Sequence, residues 1–274
     1  MKSVPQWRIH RQFIAIGISD AIAYRGAFLL GILTSLIPLA TSLLLWSAIY
    51  RAGGAGMQIA GFDLNAMLSY FLVTTALRMS GLAQDSQWEI TDQVRNGRLS
   101  NFLLRPINYV VMHWDLRMTS IVIGVALASI PIGVVLAAAH SVLVYPAAGW
   151  RWAAFALSVL LGIQISFLLS VCVGLTAFWF LETSGVMWAI MPIQMVLSGA
   201  LFPLELVPGW LFRLLKFLPW TYETYFPLQI FLGRVEPAAI AQGVALQVFW
   251  VAMLCAAVAL VWRRGTLRYE AVGG

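Results

Sequence analysis

The residues best placed to do chemistry lie in one polar stretch of the chain, positions 84–115. Asp85, Glu89, Asp92, Arg95 and Arg98 follow one another there at spacings of three or four residues, so a helix would carry them on one face. A simple connection between helices needs about five residues, whereas this one has 32. It therefore predicts a folded element that presents charge to a partner. The alternative is a solvated helix surface.

Local signals bound the helix within this stretch. Asp92 and Arg95 are an i,i+3 pair of opposite sign, which favours a helix. Gly97 is a typical residue at a helix end, and Leu99–Leu104 predicts a further short turn that Pro106 ends. We therefore expect one charged helix that stops near Gly97.

Two amide side chains, Gln164 and Gln194, lie inside long apolar runs. An amide in hydrocarbon needs a hydrogen-bonding partner or a polar cavity. These two are therefore candidates for lining a polar path through the apolar region. The other polar residues of these runs are mainly serines and threonines, which favour an ordinary role in helix packing.

The sequence offers little for catalysis. His10, His113 and His140 stand apart from one another, and we expect each to make a hydrogen bond near the end of an apolar run. The chain contains neither the zinc-binding motif HExxH nor the phosphate-binding loop GxxxxGK[ST]. We predict no catalytic residue, no metal site and no cofactor bound by this chain.

The composition identifies a membrane protein. Apolar residues make up 61% of the 274 positions and charged residues only 10%, against about 25% charged in soluble proteins. Six apolar runs are long enough to cross a bilayer as helices. They are approximately 27–50, 64–83, 116–139, 153–181, 184–201 and 238–262. The expected fold is an all-α membrane domain of six spans that occupies residues 1–274.

The basic residues predict the orientation of these spans. Twelve Lys and Arg residues belong to the side that would hold both termini and the 84–115 connection, and five to the other side. Cytoplasmic loops of membrane proteins carry the excess of Lys and Arg, so both termini are expected in the cytoplasm. The net charge of +6 is explained in the same way, and we expect no nucleic-acid partner.

Residues 1–26 predict a helix that lies in the cytoplasmic membrane interface. Trp7, Ile14 and Ile18 recur at roughly helical spacing, and Arg8 and Arg11 supply a polar side. The alternative is a plain basic tail. Because charges interrupt these first residues, we expect no cleavable signal.

Residues 202–237, hereafter the hairpin, are apolar but rich in proline. Pro208 suits the first position of a helix, and Pro219 should end that helix after about ten residues. Such a helix is too short to span. Non-helical backbone at membrane depth must be covered by protein or water, so the hairpin is a candidate outer gate. Its candidate gate residues are Phe202, Pro203, Pro208, Trp210 and Pro219.

Two stretches resemble one known family. Val94–Pro106, with the sequence VRNGRLSNFLLRP, is similar to an element of the form R-x-G-x-L…LL-x-P, and Ser198–Leu204, followed by Pro208 and Leu218-Pro219, is similar to a hairpin before the last span. Together with six spans, these resemble the membrane subunits of ABC transporters of the ABC-2 type, the exporter class.

This resemblance implies a mechanism. Two permease subunits, identical or related, would each rest on an ATP-binding subunit, and the two ATP-binding subunits would supply ATP and Mg. The coupling residues would be Glu89, Asp92, Arg95, Arg98 and, in a second contact, Glu182. Cargo would pass between the permeases, beside Gln164 and Gln194, and leave past the hairpin. The chain itself would be a transport subunit of the inner (plasma) membrane and not an enzyme.

Two other classes stay open on sequence grounds. The chain could be an integral membrane enzyme that acts on lipids, or a channel or accessory membrane protein that works without ATP. The cargo is not indicated beyond a weak preference for amphipathic or lipid-like molecules, which the apolar lining suggests.

Overall fold

The structure is a computed structural model that describes residues 19, 25–54, 56–79, 86–104, 108–180 and 184–269. These residues form helices and no extended strand. The helices are α1 Arg25–Ala52, α2 Leu64–Met79, α3 Gln87–Arg95, α4 Ser100–Leu103, α5 Tyr109–Ala138, α6 Gly149–Leu175, α7 Ser184–Leu197, α8 Gly209–Leu215, α9 Tyr225–Phe231 and α10 Pro237–Arg268.

Four of these helices are long and apolar enough to cross a membrane: Leu33–Ala52, Tyr109–Ala138, Gly149–Phe178 and Pro237–Arg268. They correspond to the first, third, fourth and sixth predicted spans. In the predicted second and fifth spans the described helices have 16 and 14 residues. Residues 80–83, where the second span was expected to continue, lie outside the described residues, so the count of six remains a prediction.

The predicted start of the third span, at 116, is wrong by seven residues. α5 begins at Tyr109, because the side chain of Asn108 accepts hydrogen bonds from the backbone N–H of Val110 and Val111. Such a cap satisfies donors that the first turn of a helix leaves unpaired. The expected charged connection is therefore shorter than 84–115. The predicted helix within residues 1–26 lies almost entirely outside the described residues, and Glu182 lies outside them as well.

Aromatic side chains pack the helices together at both ends of the bundle. At the charged end, Tyr109 of α5 stacks on Trp262 of α10 with ring centroids 5.0 Å apart, and Phe178 after α6 packs against Trp262. α3 lies at this end. At the opposite end, the hairpin end, Phe231 packs against Trp152 and Phe155 of α6. The two regions singled out by the sequence therefore lie at opposite ends of the same helices.

α6 is the central helix of the described bundle, because α3, α9 and α10 all pack on it. It has no internal proline, whereas α1, α5 and α7 contain Pro38, Pro131 and Pro192. Next to it, all seven residues of α9 are buried. α9 lies between two apolar cores, one around α6 and α10 and the other around α1 and α2. This helix of the hairpin is therefore an integral part of the fold.

Candidate functional site

The charged helix α3 is attached to the end of α6 at Gly174. A Cβ atom added to Gly174 would lie 2.9 Å from the Ile90 side chain and 3.1 Å from the backbone oxygen of Gln87. Ile90 is fully buried there, and the Thr91 hydroxyl donates to the Gly174 carbonyl at 3.4 Å. Only a residue without a side chain permits this approach, so glycine at 174 brings α3 onto α6.

A polar network joins α3 to the start of α5. The Gln93 amide donates to the Glu89 carboxylate at 2.9 Å, and its oxygen accepts from the Tyr109 hydroxyl at 2.6 Å. The same oxygen lies 3.2 Å from Nε2 of His113, which is 2% exposed. Since an amide oxygen can only accept, Nε2 carries the proton in this contact. The hydrogen bond predicted for His113 is therefore confirmed, and Glu89 is held partly by its own helix.

Three other predicted coupling residues lie on the outer surface of α3 and of the turn that follows it. Asp92, Arg95 and Arg98 are all exposed, and Asp92 forms an ion pair with Arg98 at 3.3 Å. The helix ends at Arg95, and Gly97 follows with a φ of 71°, which confirms the predicted stop. α3 therefore presents an apolar face to α6 and a face of mixed charge to the outside.

The hairpin follows the predicted order of elements with one correction. Pro208 caps α8, which ends at Leu215, four residues before the predicted terminator Pro219. The reason is that the residue before a proline is restricted to extended backbone, and Leu218 has a ψ of 144°. Pro219 instead opens a 3₁₀ turn, Pro219–Tyr222. Of the other gate candidates, Pro203 is buried, Phe202 is half-buried and Trp210 is 65% exposed.

The turn of the hairpin, residues 219–224, packs against the middle of α6. A Cβ added to Gly162, the fourteenth residue of that helix, would lie 2.7 Å from the Glu223 backbone oxygen and 3.1 Å from that of Tyr222. Thirteen residues from the helix start correspond to about 20 Å. The buried amide of Gln247 in α10 donates to the Tyr222 carbonyl and to the Ser158 carbonyl, both at 2.9 Å. Protein groups thus satisfy and cover this non-helical backbone.

The outer part of the hairpin is tied to the turn between α1 and α2. Nη1 of Arg234 donates to the Gly61 carbonyl at 2.6 Å, and its guanidinium lies 3.7 Å from the centre of the Phe62 ring. The Tyr70 hydroxyl of α2 donates to the Gly199 carbonyl, just before the hairpin. The hairpin therefore contacts the turn between α1 and α2 as well as α6 and α10.

A small cavity of about 120 Å³ lies between α2, α6, α7 and the deep turn of the hairpin. Gln194, Arg78 and Glu223 are among its lining residues. Gln164, the other predicted amide, is half-buried and is not among the lining residues that the structure describes. The structure thus brings one of the two amides to a polar cavity.

Sequence reasoning missed two buried polar residues near this cavity. Arg117 is one of the twelve basic residues assigned to the cytoplasmic side, but it is 4% exposed and donates to Ser166 of α6 at 3.2 Å. Gln247, which holds the turn of the hairpin, gave the same signal as Gln164 and Gln194, an amide within an apolar run, and could have been found by it. Among the described residues, no group of three His, Cys, Asp or Glu is placed to hold a metal ion.

Comparison with known proteins gives one match. A family model described as "ABC-2 family transporter protein" matches residues 36–273, which include every described helix from within α1 to the end of α10. No curated protein and no solved structure matches the chain.

Proposed function

The chain belongs to the ABC-2 transporter family, and on that premise we propose that it is the membrane-spanning permease subunit of an ATP-driven exporter. Its apolar helices and its family mark it as a multi-pass membrane protein of a transport system that includes an ATP-binding partner. In our proposal two ATP-binding subunits bind ATP and Mg, and two permease subunits form the path. The charged end faces the cytoplasm.

The observation that carries the proposal is the placement of α3. Its apolar residues Ile90 and Val94 are buried against the bundle, while Asp92, Arg95 and Arg98 are exposed. A charged face fixed in this way suits docking on a partner of complementary charge. We propose that the ATP-binding subunit contacts this face and Glu89, with Glu182 as a second contact, and that its closure moves α3 and hence α6.

The proposed cargo path and outer gate lie toward the hairpin end of α6. We propose that cargo passes beside the cavity lined by Gln194 and leaves past the hairpin, with Phe202, Pro203, Pro208, Trp210 and Pro219 at the gate. The second permease would pack on an apolar face that is exposed in the single chain. α1 and α5 offer such faces, for example at Leu44, which is 72% exposed, and Ile130, which is 76% exposed.

The test is co-expression with the ATP-binding subunit and substitution of Arg95→Glu. Reversal of a docking charge is expected to lower co-purification of the ATPase, and ATP turnover in the complex, by about tenfold, since like charges across an interface cost several kcal/mol. Arg264→Glu is the matched control, because Arg264 is exposed near the end of α10 at the same end of the bundle. Equal assembly and turnover in both variants would contradict docking through α3.

A further inference from the structure

A second, larger cavity lies at the hairpin end, between the hairpin and the first turns of α10. Its volume is about 600 Å³, within the ordinary range for small-ligand sites. Aromatic rings of Phe212, Tyr222, Tyr225 and Phe226 form part of its wall. None of these rings belongs to the four candidate spans. The cavity therefore lies where the hairpin meets α10, and it shares no lining residue with the small cavity beside Gln194.

One side of this cavity carries a carboxylate that is only half satisfied. Oε1 of Glu205 accepts a hydrogen bond from the Tyr225 hydroxyl at 2.7 Å. Its Oε2 is buried and has no hydrogen-bond partner among the described residues. A second carboxylate, Glu236, lines the cavity and is exposed. This side is suited to accept hydrogen bonds from a cation.

The lining of the cavity also carries donors. The Lys216 ammonium lies 4.3 Å from the centre of the Phe212 ring. Nε2 of Gln229, a residue 4% exposed, has no hydrogen-bond partner among the described residues, although its Oε1 accepts from Arg234 at 3.2 Å. Arg234 lines the cavity too, but its guanidinium is engaged by backbone carbonyls at Gly61 and Ala60. Lys216 and Gln229 are therefore the donors left for a ligand.

We propose that this cavity binds a zwitterionic headgroup of the phosphoethanolamine type. Its ammonium would contact Glu205 among the aromatic rings, which attract cations through their faces, and its phosphate would contact Lys216 and Gln229. A buried donor and a buried acceptor without partners are each unfavourable, and such a ligand satisfies both. Carboxylates disfavour a simple anion, and the two basic residues disfavour a simple cation. The site functions without nucleotide, so it does not depend on the proposed ATPase partner.

The experiment titrates the purified full chain in neutral detergent with three lipids of identical acyl chains and measures adducts by native mass spectrometry. The lipids are phosphatidylethanolamine, phosphatidic acid and a neutral glucosyl lipid. We expect phosphatidylethanolamine to bind most tightly. Glu205→Gln and Lys216→Gln should each weaken its binding about tenfold, the size expected for loss of a charge-assisted hydrogen bond. For phosphatidic acid only Lys216→Gln should have this effect.

Arg213→Gln is the matched control, because Arg213 is an exposed cation on α8 but does not line the cavity. It should leave phosphatidylethanolamine binding within about twofold of the wild type. Competition by free phosphoethanolamine identifies a soluble ligand source, and its failure to compete identifies the lipid; either result fits the proposal. Equal binding of all three lipids by the wild type overturns it, as does tighter binding of the glucosyl lipid. Unchanged affinity in both cavity variants also overturns it.

Discussion

The charged helix α3 and the hairpin are both attached to α6 at a glycine, but by different groups. At Gly174 the nearest atoms belong mainly to the side chain of Ile90, whereas at Gly162 they are backbone oxygens of Tyr222 and Glu223. The hairpin contact is reinforced from α10 by a buried amide. At Gly174 a rotamer change moves Cγ2 of Ile90, but Cβ of Ile90 and the Gln87 oxygen move only when the short helix α3 shifts. At Gly162 all the nearest atoms are backbone atoms of the turn. We infer that the hairpin is fixed and that α3 can adjust.

The largest effect is expected from Gly162→Ala. Its Cβ would lie 2.7 Å from a backbone oxygen, and overpacking of this kind costs about 1–3 kcal/mol; we expect about 3. The measurement is thermal and denaturant unfolding of the purified chain. Gly133→Ala is the control, because a Cβ there meets nothing within 4 Å. It should be neutral or add up to about 1 kcal/mol through helix propensity. A loss of stability no greater than that of the control would contradict the inference that the hairpin is fixed at Gly162.

Gln247→Leu should come next, at about 2 kcal/mol. It leaves the Tyr222 carbonyl without its side-chain donor and removes the partner of the Ser158 hydroxyl, and unmade buried hydrogen bonds cost about 1–3 kcal/mol. Unfolding measurements report the loss, and hydrogen exchange at 219–224 should localise it to the hairpin. Gln242→Leu, which changes an exposed amide five residues earlier on α10, is the control. Exchange that rises equally at α3 would argue against a local role.

Gly174→Ala is expected to cost about 1–2 kcal/mol. This is less than for Gly162→Ala, because the closest contact is 2.9 Å instead of 2.7 Å and Cγ2 of Ile90 can move by a rotamer change. Its main effect should be functional: α3 shifts outward, and ATP turnover in the assembled complex falls while the ATPase still co-purifies. The companion variant Ile90→Ala should partly restore turnover, because it removes Cγ2, one of the two Ile90 atoms that lie 2.9 Å from the added Cβ. A stability loss equal to that of Gly162→Ala would contradict the inference that α3 adjusts more easily than the hairpin.

A smaller effect is expected from pH at the hairpin. Glu205 lies outside the four candidate spans, and burial raises the pKa of its carboxyl from 4.5 despite the hydrogen bond from Tyr225, which lowers it. The folded chain therefore binds this proton more tightly than the unfolded chain, so stability should decrease as pH rises through the folded pKa. Unfolding followed above pH 4.5 should show this slope in the wild type. Glu205→Gln should flatten it, and an unchanged slope would assign the pH dependence to another group.

The smallest effect should come from Asp92→Asn on α3. It breaks the ion pair with Arg98. The Arg98 side chain is 64% exposed and that of Asp92 is 50% exposed, and exposed pairs contribute up to about 1 kcal/mol to stability. We expect at most about 0.5 kcal/mol in unfolding experiments. A double-mutant cycle with Arg98→Gln isolates the pair. A coupling above about 1 kcal/mol would mean that the surface of α3 is rigid, contrary to the comparison with the hairpin.

Much of the fold could be predicted from the sequence, because a long apolar run and its length determine a span. The charged helix and its end at Gly97 were equally accessible, since the spacing of charges and one glycine are local signals. The start of α5 was missed because Asn108, a capping residue, extends the helix beyond its apolar run. The attachment points were out of reach, because the roles of Gly162 and Gly174 depend on which distant segment packs against them.

The absence of proline from α6 has a mechanical consequence. Gly162 and Gly174 are twelve residues apart on this helix, about 18 Å along its axis. An unbroken α-helix resists stretching, so a displacement along the axis at one glycine reaches the other almost undiminished. The helices α1, α5 and α7, which contain prolines, would absorb part of such a movement by bending there. α6 therefore acts as a stiff rod between Gly162 and Gly174, and an axial displacement of α6 carries both attachment points together.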